Sequence, residues 1–128
     1  MIVIDTHVLF WIAAHPDKIS TTARQAIDTA DNLAVAAITW YELALLIERG
    51  RLDVRGDKTA ALQQLATLVT TIGLDVSIAS AASDLEAYPG FPRDPADRMI
   101  FATAQQRKLR LVTADGRLRD FSAQTCVW

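Results

Sequence analysis

The chain has 128 residues, of which 51% are hydrophobic and 22% are charged, and its formal net charge is −2. This composition predicts a single folded domain over residues 1–128 and excludes a disordered chain. The small net charge excludes a surface built throughout to bind a polyanion, although residues 89–128 hold seven Lys and Arg against four Asp and Glu. That basic excess either attracts nucleic-acid phosphates or forms ordinary surface ion pairs, and the sequence leaves both interpretations open.

Strand and helix patterns alternate along the first part of the chain. Short apolar runs predict strands, and segments with apolar residues at spacings of three and four predict helices. Ser20 is placed to cap the second helix, and Gly50 is placed to end the third. The predicted strands are residues 2–5, 33–37 and 74–77, and the predicted helices are 6–14, a segment from Ser20, a segment from Thr39 to Gly50, and 60–72.

The alternation continues to the carboxyl terminus. Helices are predicted over residues 78–88 and 95–108, a strand over 110–113, a turn at Asp115-Gly116, and a closing edge strand over 125–128. Regular alternation of this kind predicts an α/β fold, in which a parallel sheet carries helices on both faces and the crossovers are right-handed. The pattern does not give the order of the strands.

The single cysteine, Cys126, lies in the last predicted strand. One cysteine cannot form an internal disulfide, and its apolar neighbours favour a buried structural thiol. No apolar run reaches the roughly 18 residues of a membrane span, and the first residues lack the basic segment of a signal peptide. We therefore expect a cytoplasmic protein without a membrane partner.

Four acidic residues stand where a strand gives way to a loop or a helix. Asp5 follows the first strand, Glu42 opens the helix after the second, Asp97 lies near the start of a later helix, and Asp115 follows Leu111 to Ala114. In a parallel α/β sheet such positions share one edge, beyond the carboxyl ends of the strands. Carboxylates gathered there repel one another unless a cation is bound, and hard oxygen ligands select Mg²⁺ or Mn²⁺. The pattern indicates a metal-dependent enzyme that acts on a phosphate ester.

Each acid also has a purely structural interpretation. Asp5 is placed to cap the helix at Thr6, and Thr39-Trp40-Tyr41-Glu42 matches a capping box that would occupy the Glu42 carboxylate. Asp94 before Pro95 is a good cap, which leaves Asp97 with less structural need. Asp115-Gly116 is a common turn. Taken singly the acids remain ambiguous, and only their joint placement favours a site.

Several neighbours are candidates to support the acids. Thr6 and Thr113 could orient carboxylates through hydrogen bonds, and Arg98 could hold a carboxylate or bind a substrate phosphate. His7 could act as a base, although a single histidine in a first helical turn is usually structural. The sequence contains no glycine-rich phosphate loop, zinc-type Cys/His cluster or nucleophile elbow. Without these, cations held by carboxylates would activate water for phosphoryl displacement.

Four segments carry a family pattern in one order: Ile4 to Trp11, Trp40 to Ala44 followed by Glu48 to Leu52, Asp94 to Ala104, and Leu111 to Asp115. Together they resemble the PIN-domain ribonucleases of the VapC toxin type, over essentially the whole chain. The resemblance implies an α/β/α sandwich around a central parallel sheet. It also implies a Mg²⁺- or Mn²⁺-dependent endoribonuclease of a toxin–antitoxin pair, typically a homodimer inhibited by a cognate antitoxin that occupies the active-site groove.

The resemblance also implies roles for single residues. Asp5, Glu42, Asp97 and Asp115 match the acidic quartet of the family, and Asp94 matches an additional acid of one subgroup. His7 and the pair Trp40-Tyr41 depart from the commoner residues at their positions, but neither change affects an acid.

The resulting hypothesis assigns a part to each of these groups. Asp5 and Asp97 would be the main metal ligands, and Asp115 would complete the site directly or through water. Glu42 would position or deprotonate the attacking water. Arg98 and other basic residues of the last third would meet the RNA backbone. Hydrolysis would leave a 5′-phosphate and a 3′-hydroxyl.

Three other interpretations compete with this one. A phosphatase of the haloacid-dehalogenase type needs a second Asp two residues after the first, where this chain has His7. A receiver domain fails similarly, because Thr6-His7 does not supply its acidic pair and Asp115-Gly116 does not supply its lysine. The alternative from another class is a catalytically silent PIN-fold binding or regulatory module, in which the acids persist only as helix caps.

Overall fold

The computed structural model describes residues 1–128 and contains one sheet of five strands, all parallel. The spatial order is β3-β2-β1-β4-β5, so β1 lies at the centre with β2 on one side and β4 on the other. The strands are β1 (Ile2–Ile4), β2 (Leu33–Ala36), β3 (Thr70–Ile72), β4 (Leu111–Val112) and β5 (Cys126–Val127).

Seven α-helices connect and cover the strands. They are α1 (Thr6–Ala14), α2 (Thr21–Asp28), α3 (Ile38–Glu48), α4 (Lys58–Ala66), α5 (Val76–Asp84), α6 (Pro95–Gln106) and α7 (Gly116–Phe121), with 3₁₀ turns at Pro16–Lys18 and Leu85–Ala87. None of these helices combines the length and the apolar character that crossing a membrane requires.

The sheet separates two hydrophobic cores, because successive side chains of a strand point to opposite faces. Ile2 and Ile4 of β1 pack in one core with Val8 and Leu9 of α1. Val3 lies in the other core, which contains the α5 and α6 residues Ile78, Ala82, Ile100 and Phe101. The predicted α/β/α sandwich around a parallel sheet is therefore confirmed.

The prediction for residues 60–77 was wrong in detail. The helix ends at Ala66, and the next strand is β3 rather than residues 74–77. Thr70, Thr71 and Ile72 are β-branched and pair with Ala34 to Ala36 of β2, and this non-local pairing outweighs the helical spacing of their neighbours. Asp75 then accepts a hydrogen bond from the amide of Ile78 at 2.9 Å and begins α5 inside the predicted strand.

The strand order defines where a ligand would bind. From β1 the chain first adds β2 and β3 on one side, and it later returns to add β4 and β5 on the other. The connections therefore leave the carboxyl ends of β1 and β4 in opposite directions, which opens a crevice between them. Asp5 follows β1 directly, and Asp115 lies three residues beyond β4.

Candidate active site

The acids predicted from the sequence lie around one pocket of about 380 Å³ at the carboxyl edge of the sheet. Its lining combines side chains from four separate stretches of the chain, which only the fold brings together. The lining residues are Asp5, His7, Trp11, Glu42, Asp94, Asp97, Ala114, Asp115 and Arg117.

Asp5 is buried and both of its carboxylate oxygens accept hydrogen bonds. Oδ1 accepts from the amide of Thr6 at 2.7 Å, which caps α1, and Oδ2 accepts from the hydroxyl of Thr113 at 2.6 Å. Burial raises the pKa of Asp5, and the two hydrogen bonds oppose that rise. Asp5 can therefore cap α1 and line the pocket at the same time, because Oδ1 accepts from the helix and Oδ2 accepts from Thr113, which follows β4.

Glu42 does not take part in a capping box, so that structural interpretation is wrong. The helix α3 begins at Ile38, its cap residue Ala37 makes no side-chain bond, and Glu42 lies in the second turn. Glu42 Oε2 instead accepts a hydrogen bond from the hydroxyl of Thr6 at 2.5 Å. Burial raises the pKa of Glu42, with further contributions from the charges of Asp5 and Asp94. The side chain thus faces the other acids rather than its own helix terminus.

Asp94 and Asp97 stand at the start of α6 as their spacing predicted. Asp94 Oδ1 accepts from the amide of Ala96 at 2.9 Å and caps the helix. Asp97, whose side chain is 21% exposed, has Arg117 Nη2 at 3.9 Å. Burial, followed by the negative charges of the surrounding acids, raises the pKa of Asp97 from 3.8 to about 7. Surroundings that raise the pKa of this carboxyl group in this way favour a nearby cation.

Asp115 is bound by Arg117, a site residue that the sequence pattern did not indicate. Asp115 Oδ2 lies 2.9 Å from Arg117 Nη2, and Oδ1 accepts from Arg117 Nε at 3.2 Å and from its amide at 2.8 Å. The hydrogen bonds from Arg117 hold the pKa of Asp115 below its usual range. The same amide bond begins α7, which replaces the simple turn that was predicted here.

Arg98 is not among the residues that line the pocket. Its Nε donates to the carbonyl oxygen of Pro92 at 3.2 Å, its Nη1 lies 3.8 Å from Glu86 Oε2, and its side chain is only 16% exposed. These contacts hold the segment that precedes α6. Contact between Arg98 and RNA stays a prediction, whereas Arg117 supplies the guanidinium group at the pocket.

The chemistry of the pocket fits a hard divalent cation, although its carboxylates would have to move closer together to coordinate one. No group of three or more His, Cys, Asp or Glu side chains is already arranged to hold a metal ion. Five of the lining residues carry carboxylates, however, and Arg117 offsets part of the negative charge at Asp115. Carboxylate oxygens are the ligands that Mg²⁺ and Mn²⁺ prefer. An ion at this point would compete with Arg117 for Asp115.

The chain is similar to known proteins along its whole length. Residues 2–124 match the family model of the PIN domain. Ribonuclease VapC22 of Mycobacterium tuberculosis (strain ATCC 25618 / H37Rv) is 48% identical over 118 residues, which cover 92% of this chain and 89% of the relative.

Solved structures show the same fold at lower identity. A toxin–antitoxin complex from Klebsiella pneumoniae superposes with a TM-score of 0.71 at 20% identity, covering 100% of this chain and 97% of the other. Mycobacterium tuberculosis VapC20, described as a sarcin-ricin loop cleaving toxin, gives 0.68 at 20% identity and 95% coverage of each chain. With the family match and the 48% identical relative, these likenesses lead to one conclusion: the chain belongs to the PIN-domain family and resembles its VapC-type members.

Proposed function

We propose that the protein is the ribonuclease toxin of a type II toxin–antitoxin pair and that it hydrolyses RNA phosphodiester bonds with the help of Mg²⁺ or Mn²⁺. The observation that carries the proposal is the set of five carboxylates around one pocket at the switch point of the sheet. The 48% identical relative, which is named a ribonuclease, supports the reaction class.

The surroundings of each residue indicate its role in the proposed reaction. Asp5, Asp97 and Asp115 would hold the ion, which when bound lowers the pKa of water and neutralises charge on the phosphate. Glu42 Oε2 is engaged by Thr6, so Oε1 is the atom left to take the proton from the attacking water. The water oxygen bonds to phosphorus, the bond from phosphorus to the 3′ oxygen breaks, and that oxygen takes a proton from solvent water and leaves as a hydroxyl. The products carry a 5′-phosphate and a 3′-hydroxyl.

Cleavage of RNA by matched variants tests this proposal. Wild type should cleave in Mn²⁺ or Mg²⁺ and not in EDTA, whereas Asp5→Asn and Asp97→Asn should each lose most of the activity. Asp28→Asn is the matched control, because Asp28 lies exposed at the end of α2, outside the residues that line the pocket. Undiminished cleavage by both pocket variants would reject the assignment.

The alternative of a catalytically silent binding module predicts a different result. If the acids serve only as caps, Asp97→Asn should leave Mn²⁺ affinity at the same weak level as wild type. If they form a metal site, isothermal titration should show Mn²⁺ binding in wild type and its loss in Asp97→Asn. Asp94→Asn offers a useful comparison, since Asn also caps helices well.

A small protein inhibitor is part of the same proposal. VapBC2 from Rickettsia felis and VapBC-1 from nontypeable Haemophilus influenzae have this fold, with TM-scores of 0.71 for each, at 16% and 17% identity. We propose that this chain likewise has a cognate antitoxin and acts in the cytoplasm. Co-expression with the product of the adjacent short reading frame should yield a stable complex without ribonuclease activity.

A homodimer is also proposed, on the evidence of exposed apolar residues near one another in the fold. Tyr41 of α3 is 61% exposed, Leu74 is 52% exposed and Val76 at the start of α5 is 87% exposed. Tyr41 and Leu74 also line one apolar recess of about 230 Å³. Light scattering should give twice the mass of one chain, and Val76→Lys should reduce it to that of one chain.

A further inference from the structure

A second groove of about 380 Å³ continues from the acid pocket along α3. His7, Glu42 and Asp94 line both the pocket and the groove, so the two form one continuous depression. Beyond these shared residues the charge of the lining changes from negative to positive, because Arg49 and Arg51 lie at the far end of the groove.

One face of α3 builds the wall of this groove. Glu42, Leu45, Leu46 and Arg49 follow one another at spacings of three, one and three residues, which keeps them on one side of the helix. Arg49 lies seven positions after Glu42, which at 1.5 Å per residue places its Cα atom about 10 Å along the helix from that of Glu42.

The chain reverses at the end of α3 and returns Arg51 to the same groove. Gly50 has φ +66, a conformation that glycine adopts without strain. The amide of Arg51 then donates to the carbonyl oxygen of Leu46 at 2.9 Å. This helix ending keeps Arg51 close to the carboxyl end of α3, so that Arg49 and Arg51 both line the groove.

Both arginines lack an acidic partner within the protein. The ion pairs of the protein use Lys58, Arg98, Arg107 and Arg117, and neither Arg49 nor Arg51 donates a side-chain hydrogen bond. Glu48, which adjoins Arg49 in the chain, is bound to Lys58 at 2.7 Å instead. The groove therefore joins an acidic end to two uncompensated positive charges.

We propose that this groove binds the single-stranded RNA next to the cleaved bond, with Arg49 and Arg51 contacting its backbone phosphates. The proposal rests on the ribonuclease function proposed above. A backbone drawn into an acidic pocket needs positive charge close by to offset the repulsion, and guanidinium groups suit phosphate oxygens. The apolar side chains of Ile38, Leu45 and Leu46 offer contact surface to ribose and base without reading sequence.

A salt series of RNA binding tests the proposal without cleavage. The probe is a fluorescein-labelled oligouridine of about 12 nucleotides, and its dissociation constant is measured by anisotropy in EDTA between about 50 and 200 mM salt. Each phosphate contact to a single strand contributes about 0.7 to the slope of log K against log salt. The double variant Arg49→Gln/Arg51→Gln should therefore lower the slope by about 1.4 and weaken binding at low salt several-fold.

The matched control removes the same charge at the opposite edge of the sheet. Lys108→Gln/Arg110→Gln alters two exposed cations, spaced as in the test pair. They belong to the basic last third of the chain, but they precede the amino end of β4 and so lie at the edge of the sheet away from the acid pocket. This control should keep the wild-type slope. Circular dichroism and the melting temperature check that both double variants fold.

Cleavage kinetics separate this proposal from the one on which it rests. Because the arginines lie away from the reacting bond, their loss should raise KM and leave kcat nearly unchanged. If wild type cleaves RNA while the Arg49/Arg51 variant matches it in salt slope and KM, the groove assignment fails and the ribonuclease function stands. If wild type neither binds nor cleaves RNA, both fail. If the Arg49/Arg51 variant loses affinity for a polyglutamate peptide but binds RNA as wild type does, the groove binds an acidic protein partner. That result would overturn the proposal.

Discussion

The hydroxyl of Thr113, one residue past β4, donates a hydrogen bond of 2.6 Å to Oδ2 of Asp5, one residue past β1. The same Thr113 oxygen accepts from the amide of Asp115 at 3.1 Å. One buried hydroxyl thus links the two strand ends between which the crevice opens, and it fixes the orientation of the most deeply placed acid. A metal site built from Asp5 and Asp115 would depend on this link.

Thr113→Val should therefore weaken both stability and metal affinity. Valine keeps the shape of threonine but leaves Asp5 Oδ2 without its donor, and a hydrogen bond to a charged group contributes about 1.5 to 3 kcal/mol. Loss of a group that orients a ligand reduces metal affinity by about 10- to 100-fold. Urea unfolding in EDTA gives the stability, and Mn²⁺ titration gives the affinity.

Thr103→Val is the control for this variant. Thr103 is equally buried but bonds only to the carbonyl oxygen of Met99 within α6. Its replacement should leave Mn²⁺ affinity unchanged. Equal Mn²⁺ affinities for Thr113→Val and wild type would contradict the orienting role.

The raised pKa of Asp97 predicts how stability depends on pH in the absence of metal. The folded protein holds the Asp97 proton up to about pH 7, whereas the unfolded chain releases it near 3.8. Between these values the folded state binds more protons, so stability falls as pH rises from about 4 to 7 and levels off above. Asp97→Asn has no such proton to lose and should be the more stable protein at about pH 8 in EDTA, by on the order of 1 to 2 kcal/mol after solvent screening.

Chemical denaturation at several pH values measures this effect. Asp84→Asn, which changes an exposed acid at the end of α5, should keep the wild-type pH dependence. Saturating Mn²⁺ should reverse the order, because only wild type gains stability by binding the ion at Asp97. An Asp97→Asn variant that is less stable than wild type at about pH 8 in EDTA would refute the burial and repulsion that raise the pKa of Asp97.

The sequence predicted the gathering of the acids because that inference needs only local patterns and one rule of parallel sheets. Each acid follows a recognisable strand or opens a recognisable helix, and every such position falls at the same edge. Local patterns could not predict the strand order or β3, because the pairing of Thr70 to Ile72 with β2 joins residues far apart in the chain. Local spacing there suited a helix equally well.

Two side chains show what adjacency in sequence does not determine. Arg98 follows Asp97, but consecutive residues of a helix point in different directions, so Arg98 faces Pro92 and Glu86 instead of the pocket. Thr39 and Glu42 have the spacing of a capping box, but α3 begins at Ile38 and the pattern falls out of register with the helix end. Arg117 carried only a weak signal, an arginine two residues after a capping Asp.

Cys126 should resist thiol reagents in the folded protein. The predicted burial is confirmed, and burial raises the pKa of its thiol to about 11, with Asp5 adding to the rise. Only the thiolate reacts, so at about pH 8 a disulfide reagent should label native protein very slowly and unfolded protein at once. The change in absorbance reports a single site, because the chain has one cysteine. Rapid labelling of native protein would show that the β5 edge opens.

Arg117→Gln should increase the affinity of the pocket for Mn²⁺. Arg117 Nη2 lies 2.9 Å from Asp115 Oδ2 and 3.9 Å from Asp97 Oδ2, so its charge occupies the place where two proposed ligands converge. An ion has to displace it, and removing it should tighten Mn²⁺ binding several-fold at low salt, with a smaller difference at high salt. The substitution keeps the backbone amide of residue 117, which donates to Oδ1 of Asp115 at the start of α7, so the helix should persist.

The control for Arg117 is an arginine in a similar pair elsewhere. Arg107 Nη2 lies 2.6 Å from Asp75 Oδ2 near the start of α5, and neither residue lines the pocket. Arg107→Gln should leave Mn²⁺ affinity unchanged, which separates a local effect from the loss of one positive charge overall. Weaker Mn²⁺ binding by Arg117→Gln than by Arg107→Gln would mean that the guanidinium group helps to assemble the carboxylates rather than competing with the ion.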